Sequence, residues 1–356
     1  MIIVSGTFTF LVFSETLYIY LRARNVERLI EGLQFHNYYL KSNSIASPAE
    51  VQHQELSTMK KRVREVTERP YRDLKSPFHN PGEGPKRDLK LDEIFTNLIV
   101  YEGRAEYDFS GDRLEQLKEY HKANENLRPT RPEDIFDAEK QMILVVGRPG
   151  IGKTMFSTKI LRDWASDNLI NDTEKSQIDI KVAFLIKLRM FNSTKKALNL
   201  RKLLDHSEYS TALSEVIWNY ILHNPEQVLV IFDGFDEYSG RTKINEDDVP
   251  YRNSEEERMP VHLLLKKIVS GKILTGATVL MTTRPNAVSF IGSLHFDKAV
   301  EILGFTTEQV EDYVQKFTEG DGQKANTIKQ HIRNNLNLLA FCYVPVNCFI
   351  ICSCLF

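Results

Sequence analysis

The chain has 356 residues and a formal net charge of −2, with 42% hydrophobic and 26% charged residues. This composition is typical of a folded protein with room for two or three domains, and it excludes a mostly disordered chain. Because there is no excess of basic residues, nucleic-acid binding is not indicated.

The first segment, residues 1–45, begins with an apolar run over residues 1–21 that Glu15 interrupts. No basic residue precedes the run and no small-residue cleavage site is clear, so a signal peptide is not favoured. As a membrane span the run is marginal in length and polar in its middle. We expect a packed helix or an irregular start, with membrane association as the alternative, and assign this segment to no domain.

Residues 46–90 follow as a predicted linker, disordered in part. The charged block "KKRVREVTERPYRDLK" mixes both signs, which is typical of a solvated helical face. Four prolines between Pro70 and Pro85 then disfavour regular structure. Residues 91–138 are predicted to be helical, because Ile94, Phe95, Leu98 and Tyr101 fall on one helical face.

From residue 139 to 304 short apolar runs alternate with helical segments. The runs cover residues 142–146, 182–186, 228–232, 279–281 and 299–303. Continuous apolarity predicts strands covered on both faces, as in a parallel sheet. The expected fold is therefore an α/β core with a five-stranded, mainly parallel sheet.

Residues 305–356 are predicted to form a small all-helical subdomain. Thr306 and Gln309 form a capping box ahead of an apolar stripe. No charge follows Arg333, and the uncharged tail is long enough to span a bilayer, although Pro345 interrupts it. The four cysteines all lie in this subdomain and cannot form disulfide bonds between distant parts of the chain, which favours a reducing compartment. The spacing of the cysteines and the lack of a nearby histidine do not favour a zinc-binding site.

The stretch "GRPGIGKT" fits the pattern GxxxxGK[ST] between a strand and a helix. Glycines let the backbone turn its N–H groups toward phosphate oxygens, while Lys153 reaches the β- and γ-phosphates and Thr154 can ligate Mg²⁺. The predicted cofactor-binding residues here are Gly147, Arg148, Pro149, Gly150, Ile151, Gly152, Lys153, Thr154 and, in the following helix, Phe156.

Acidic residues follow a later strand in "VLVIFDGFDEY". Asp233 lies where the carboxyl end of a strand opens on a ligand crevice, and is expected to hold the magnesium shell. Asp236 and Glu237 come next, and one of them can orient or deprotonate an attacking water. Arg284, in "MTTRPNAV", follows another strand and could place its guanidinium near the γ-phosphate.

Three stretches in this order, "GRPGIGKT", "VIFDGFDE" and "TTRP", resemble the NACHT domain of NOD-like receptors, which are signal-transducing P-loop NTPases related to the AAA+ ATPases. The segments "LDEIFTNLIVYEGR" and "EILGFTTEQVEDYVQKF" are similar to the regions before and after the NACHT core. The resemblance implies that the strand before Arg284 lies between those that lead to Lys153 and Asp233. It also implies that Pro345 packs near the adenine and that the uncharged tail is a buried helix.

The resemblance implies a cytoplasmic module that binds ATP or ADP with Mg²⁺ and switches between closed and oligomer-forming states in innate-immune signalling, with slow ATP hydrolysis. Self-association or pairing with other NACHT proteins would then occur in a longer form. The family's receptors continue into a winged-helix domain and a repeat-built sensor, neither of which is found here. Two alternatives stay open: a P-loop hydrolase or kinase with true turnover, and a truncated regulatory decoy.

Overall fold

The computed structural model describes residues 47–67, 90–102, 132–136, 139, 141–169, 179–194, 196–207, 213–246 and 251–355. The apolar run at residues 1–21, the proline-rich part of the predicted linker and most of the predicted helical segment 91–138 lie outside these ranges. The chain divides into two compact units, Met1–Gln54 and Glu55–Phe356. The described part of the first unit is the start of one helix, and everything that follows concerns the second.

The described strands form one sheet. In chain order they are β1 (Ile99–Glu102), β2 (Met142–Gly147), β3 (Val182–Lys187), β4 (Val228–Asp233), β5 (Thr278–Thr283) and β6 (Lys298–Gly304). Their order across the sheet is β1-β6-β2-β5-β4-β3. The five strands from β6 to β3 are parallel, which confirms the predicted fold, and β1 is added antiparallel to the edge of β6.

Helices cover both faces of this sheet. They are α1 (Pro48–Thr67), of which only the part from Glu55 belongs to the second unit, α2 (Leu91–Ile94), α3 (Lys153–Ala165), α4 (Leu200–Asp205), α5 (Glu215–His223) and α6 (Val261–Val269). Successive strand residues point to opposite faces. On β4, Leu229 and Ile231 pack in the cluster that contains α3, whereas Val230 and Phe232 pack in the cluster that contains α4 to α6. Both faces of β4 are therefore buried, which explains its unbroken apolar sequence.

The helical subdomain consists of α7 (Thr307–Phe317), α8 (Gly322–Arg333), α9 (Leu336–Cys342) and α10 (Pro345–Leu355). The predicted capping box is confirmed, since the Thr306 side chain accepts from the Gln309 backbone N–H and the Gln309 side chain accepts in return. Cys348 and Phe349 of α10 are buried in the same cluster as α3. Within the described ranges, no helix has both the length and the apolarity that crossing a bilayer requires.

The structure corrects two predictions for the segments that precede the core. Residues 48–67 of the predicted linker form α1, whose Val63 is buried in the core and whose Leu56 and Met59 pack against it. This apolar stripe is sparse, so the surrounding charges conceal it in the sequence. The single helix expected to run past Tyr101 is also wrong, because α2 ends at Ile94 and the chain then pairs with the free edge of β6 as β1.

Candidate nucleotide-binding site

The carboxyl ends of β2, β4 and β5 open on a cavity of about 280 Å³. Strand β5 lies between β2 and β4, as the resemblance predicted, so the residues that follow the three strands meet at one edge. Predicted site residues that line the cavity are Pro149, Gly150, Gly152, Lys153, Thr154, Asp233, Asp236, Glu237, Arg284 and Pro345.

The loop after β2 has the geometry of a phosphate loop. Gly150 and Gly152 have φ angles of 73° and 102°, in the left-handed region that favours glycine. Gly152 is also the N-cap residue of α3, so the positive end of that helix faces the cavity. Lys153, the first residue of α3, donates from Nζ to the Gly147 carbonyl at 2.7 Å and to the Arg148 carbonyl at 3.0 Å. The ammonium group is thus held at the loop.

The surroundings of Lys153 act on its pKa in opposite directions. Burial lowers its pKa, and the Arg284 charge lowers it further, while Asp236, Asp233 and Glu237 act in the opposite direction. The net shift is downward, so the protonated ammonium is less well compensated here than it is in water. An anion with several charges, placed beside Lys153 and Arg284, would supply the missing compensation.

Two hydroxyl groups hold the Asp233 carboxylate, one at each oxygen. Thr154 Oγ1 donates to Oδ2 at 2.8 Å, and Thr282 Oγ1 donates to Oδ1 at 2.8 Å. The Thr282 oxygen in turn accepts from the Gly234 N–H at 2.9 Å. Thr282 is fully buried and was not foreseen as a site residue. Its position at the end of β5, two residues before Arg284, is the signal that could have identified it.

The acidic pair after β4 meets two arginines. Arg284 Nε lies 2.7 Å from Asp236 Oδ2, and its Nη2 lies 3.9 Å from Glu237 Oε1. On the other side of Glu237, Arg189 Nη1 lies 3.8 Å from Oε2. Arg189, just past the end of β3, was missed because nothing in the local sequence distinguishes it from a surface arginine. Both candidate water-orienting acids are therefore paired in this structure, and Arg284 contacts them across the cavity.

Four predicted cofactor-binding residues do not line the cavity: Gly147, Arg148, Ile151 and Phe156. Phe156 is fully buried in the hydrophobic cluster that contains α3, and Ile151 is buried in the same cluster. A Cβ at Gly147 would lie 2.8 Å from Ile151 Cγ2. In this structure the Ile151 and Phe156 side chains support the loop from the hydrophobic core.

The part of the lining described so far is here called the polar end. The rest of the lining, here called the apolar end, comes from distant parts of the chain. The lining residues there are Ile94, Phe95, Leu98, Phe305, Tyr313, Pro345, Val346 and Phe349. The helical subdomain rests directly on the phosphate loop, because the Val346 N–H donates to the Gly150 carbonyl at 3.3 Å. Sequence reasoning assigned Pro345 to this end through the resemblance, and missed the segment around Phe95.

The oxygen donors at the polar end suit Mg²⁺, a hard cation that binds few protein oxygens and keeps several waters. Thr154 Oγ1 and Asp233 Oδ2 already lie 2.8 Å apart, so one ion could contact both or reach Asp233 through water. Among the described residues, no cluster of three or more His, Cys, Asp or Glu side chains could hold a metal ion. The remaining ligands would have to be phosphate oxygens and water.

Comparison with known proteins agrees with this geometry. The NACHT domain family matches residues 141–321. Protein NLRC5 of Ictalurus punctatus is 28% identical over 291 residues, which cover 79% of this chain and 16% of that protein. The human NACHT, LRR and PYD domains-containing protein 12 is 29% identical over 64% of this chain and 21% of its own length. Allele 4 of the mouse NACHT, LRR and PYD domains-containing protein 1b is 31% identical over 61% of this chain and 23% of its own length. The chain thus spans about a fifth of the length of these relatives, and it belongs to the NACHT domain family.

Proposed function

We propose that this chain is the nucleotide-binding module of a NOD-like receptor, taking ATP or ADP with Mg²⁺ and acting as a switch in innate-immune signalling. The observation that carries the proposal is the meeting of Lys153, the Thr154–Asp233 pair and Arg284 at one cavity. These groups lie at the ends of three different strands, and together they offer the positive charge and the metal ligands that a polyphosphate needs.

The phosphates would lie at the polar end. The loop N–H groups and the N-terminus of α3 favour negative charge there, and Lys153 would exchange its two carbonyl partners for phosphate oxygens. Mg²⁺, when bound, neutralises charge on the β- and γ-phosphates. Thr154 and Asp233 would hold it, while Thr282 keeps the Asp233 carboxylate oriented.

Slow hydrolysis follows from the pairing of the acids. Glu237 or Asp236 has to accept a proton from water or orient it, and both now contact Arg284. If Arg284 turns toward the γ-phosphate, Asp236 loses the partner that positions its carboxylate, whereas Arg189 still positions the Glu237 carboxylate. We therefore assign the water-orienting role to Glu237 and charge stabilisation to Arg284.

Switching would act through the helical subdomain, which forms part of the apolar end and rests on Gly150. A ligand that differs by one phosphate can shift the position of the subdomain only through contacts that differ between the two states. Arg284 and the phosphate loop are the groups positioned to sense that phosphate. In a longer form, the open state would associate with a second copy or with another NACHT protein.

We place the switch in the cytoplasm. Cys342, Cys348, Cys352 and Cys354 are free thiols, and the first three are buried in the helical subdomain. Free thiols persist in reducing compartments.

Two measurements on one preparation test the proposal: dissociation of fluorescent mant-ADP and steady-state phosphate release from MgATP. We expect saturable mant-ADP binding, competition by tripolyphosphate, and turnover well below the typical enzyme value of about 10 per second. Absence of nucleotide binding would contradict the module. Turnover of tens per second would contradict the switch and favour a true hydrolase.

A further inference from the structure

The apolar end of the cavity includes a short irregular segment between α2 and β1, residues 95–98, here called the wall segment. Phe95, Thr96 and Leu98 of this segment line the cavity. Leu98 also lies close to the phosphate loop, since a Cβ at Gly152 would be 3.2 Å from Leu98 Cδ1. Movement of the wall segment would therefore open the cavity beside the loop.

The wall segment is held on one side by α3, the helix that carries the phosphate loop. Lys159 Nζ lies 5.7 Å from the centre of the Phe95 ring, within the range of a cation–π contact. In α2, three residues before Phe95, Asp92 pairs with Arg162 at 2.5 Å and with Lys159 at 3.1 Å. Burial and these pairs act on Asp92 in opposite directions, and its pKa is lowered overall.

On the other side it is held by α7 of the helical subdomain. Lys316 Nζ donates to the Phe95 carbonyl at 2.8 Å and pairs with Asp312 Oδ2 at 2.7 Å. The Thr96 hydroxyl donates to the same Asp312 oxygen at 3.3 Å. Phe95 therefore joins the two parts, with its ring against α3 and its carbonyl bound by α7.

We propose that Lys316 is a positioning residue that holds the wall segment closed over bound nucleotide and thereby sets the rate of nucleotide release. The inference rests on the proposed nucleotide site and adds a residue that does not itself line the cavity. If the helical subdomain swings away, the Lys316–Phe95 bond and the Thr96–Asp312 bond break together. Gln309 of α7 also donates to the Asn97 carbonyl of the wall segment. Retention of nucleotide and the closed position of the subdomain are thus coupled through several contacts, among which the Lys316 bond has a charged donor.

The Lys316 side chain is 32% exposed, so water can partly replace its bond to the Phe95 carbonyl. A hydrogen bond that involves a charged group is stronger than a neutral one, and screening by water weakens this one. We expect loss of the ammonium to accelerate nucleotide release about tenfold.

The test uses stopped-flow dissociation of mant-ADP from Lys316→Met, Lys316→Arg and wild type. Lys316→Met keeps most of the aliphatic stem and should release mant-ADP about tenfold faster, whereas Lys316→Arg should restore a rate near that of wild type. The matched control is Lys329→Met. Lys329 lies in the same subdomain, donates to Gln315 Oε1 at 2.9 Å and does not line the cavity, so its loss should leave the rate unchanged.

A second ligand separates positioning from general damage to the site. Tripolyphosphate should use only the polar end, so its affinity should be the same in Lys316→Met as in wild type. If Lys316→Met fails to fold, Thr96→Val, which keeps shape and removes the Asp312 contact, should accelerate release in the same direction by a smaller factor.

Several results would overturn the inference. One is an equal mant-ADP dissociation rate in Lys316→Met and wild type. Another is a loss of tripolyphosphate affinity in Lys316→Met as large as its loss of mant-ADP affinity. A third is a mant-ADP dissociation rate in Lys316→Arg as fast as that in Lys316→Met. Absence of mant-ADP binding to wild type is a different result, because it would overturn the proposed function itself.

Discussion

The two ends of the cavity are built in different ways. The polar end is composed of short contiguous stretches that each follow a strand, at residues 147–154, 233–237 and 282–284. The apolar end joins the wall segment to Phe305, Tyr313 and the start of α10, more than two hundred residues later in the chain. The difference separates two tasks. Each stretch of the polar end takes its conformation from local backbone geometry at the end of its strand, whereas closure needs a tertiary contact that can be broken.

The polar end should depend most on Lys153. We expect Lys153→Ala to weaken mant-ADP and tripolyphosphate binding about a hundredfold or more, because both ligands lose the same charge. The melting temperature should stay near that of wild type, since the side chain is partly exposed and bonds to loop carbonyls that water can reach in its place. Fluorescence titration measures the affinities.

The control for Lys153→Ala is Lys61→Ala, which removes a lysine that is 71% exposed and pairs with Glu65 at 3.9 Å. If Lys153→Ala binds both ligands as well as wild type does, the phosphate loop is not the binding site.

Within the polar end, the acids should divide by role. We expect Glu237→Gln and Asp236→Asn to keep MgATP bound while slowing hydrolysis, by about a hundredfold for Glu237→Gln. Asp233→Asn should weaken binding only when magnesium is present, because a metal ligand acts in the ground state. Titrations with Mg²⁺ or EDTA and single-turnover hydrolysis measure the two effects. Equal loss of binding in all three variants would contradict the division.

Gly304 lies between the phosphate loop and the backbone that leads into α10, so a substitution there should disturb the contact between them. This residue has a φ of 105°, and a Cβ there would lie 2.3 Å from the Tyr343 carbonyl oxygen and 2.9 Å from Ile151 Cδ1. We expect Gly304→Ala to lower the free energy of unfolding by roughly 3 kcal/mol and to weaken nucleotide binding, because the backbone before α10 has to move.

Gly271→Ala is the matched control, since Gly271 also has a positive φ, 64°, and a Cβ there would meet nothing within 4 Å. Gly271→Ala should lower the free energy of unfolding by only about 1–2 kcal/mol, because an L-residue is strained in the left-handed backbone conformation. Urea unfolding measures the free energy of unfolding of both variants. Equal losses would mean that the backbone around Gly304 accommodates the added methyl group without strain.

The smallest expected effect concerns a buried acid behind the polar end. Glu301 of β6 pairs in register with Val146 of β2, and burial raises its pKa although the Arg148 charge opposes the shift. The folded state therefore binds the proton more tightly than the unfolded state does. Stability from this group is complete below the unfolded pKa of about 4.5 and is lost as pH rises through the higher folded pKa.

The substitution Glu301→Gln removes this dependence. Relative to the variant, wild type should lose about 1 kcal/mol or less as pH rises from about 4 to 8. Urea unfolding across that range measures the difference. A constant difference between the two proteins would show that Glu301 does not titrate differently on folding.

Arg284 illustrates which features of the site could be predicted from the sequence and which could not. Its place after a strand predicted that it would lie at the nucleotide crevice, and it lines the cavity. Its present partners, Asp236 and Glu237, were not predicted, because side-chain pairing depends on which groups face each other across neighbouring strand ends. Arg189 escaped notice for the same reason.

The sequence by itself determined the α/β core, the phosphate loop, the carboxylate after β4 and the capped helix after β6. These features depend on residues close together in the chain, where periodicity, glycine conformations and capping act locally. Only the tertiary structure decided that residues 99–102 form an edge strand, that residues 48–67 form a packed helix, and that α7 holds the wall segment. The reason is physical: an unpaired sheet edge and a bare helix face exist only after the core has folded, and they select the segments that cover them.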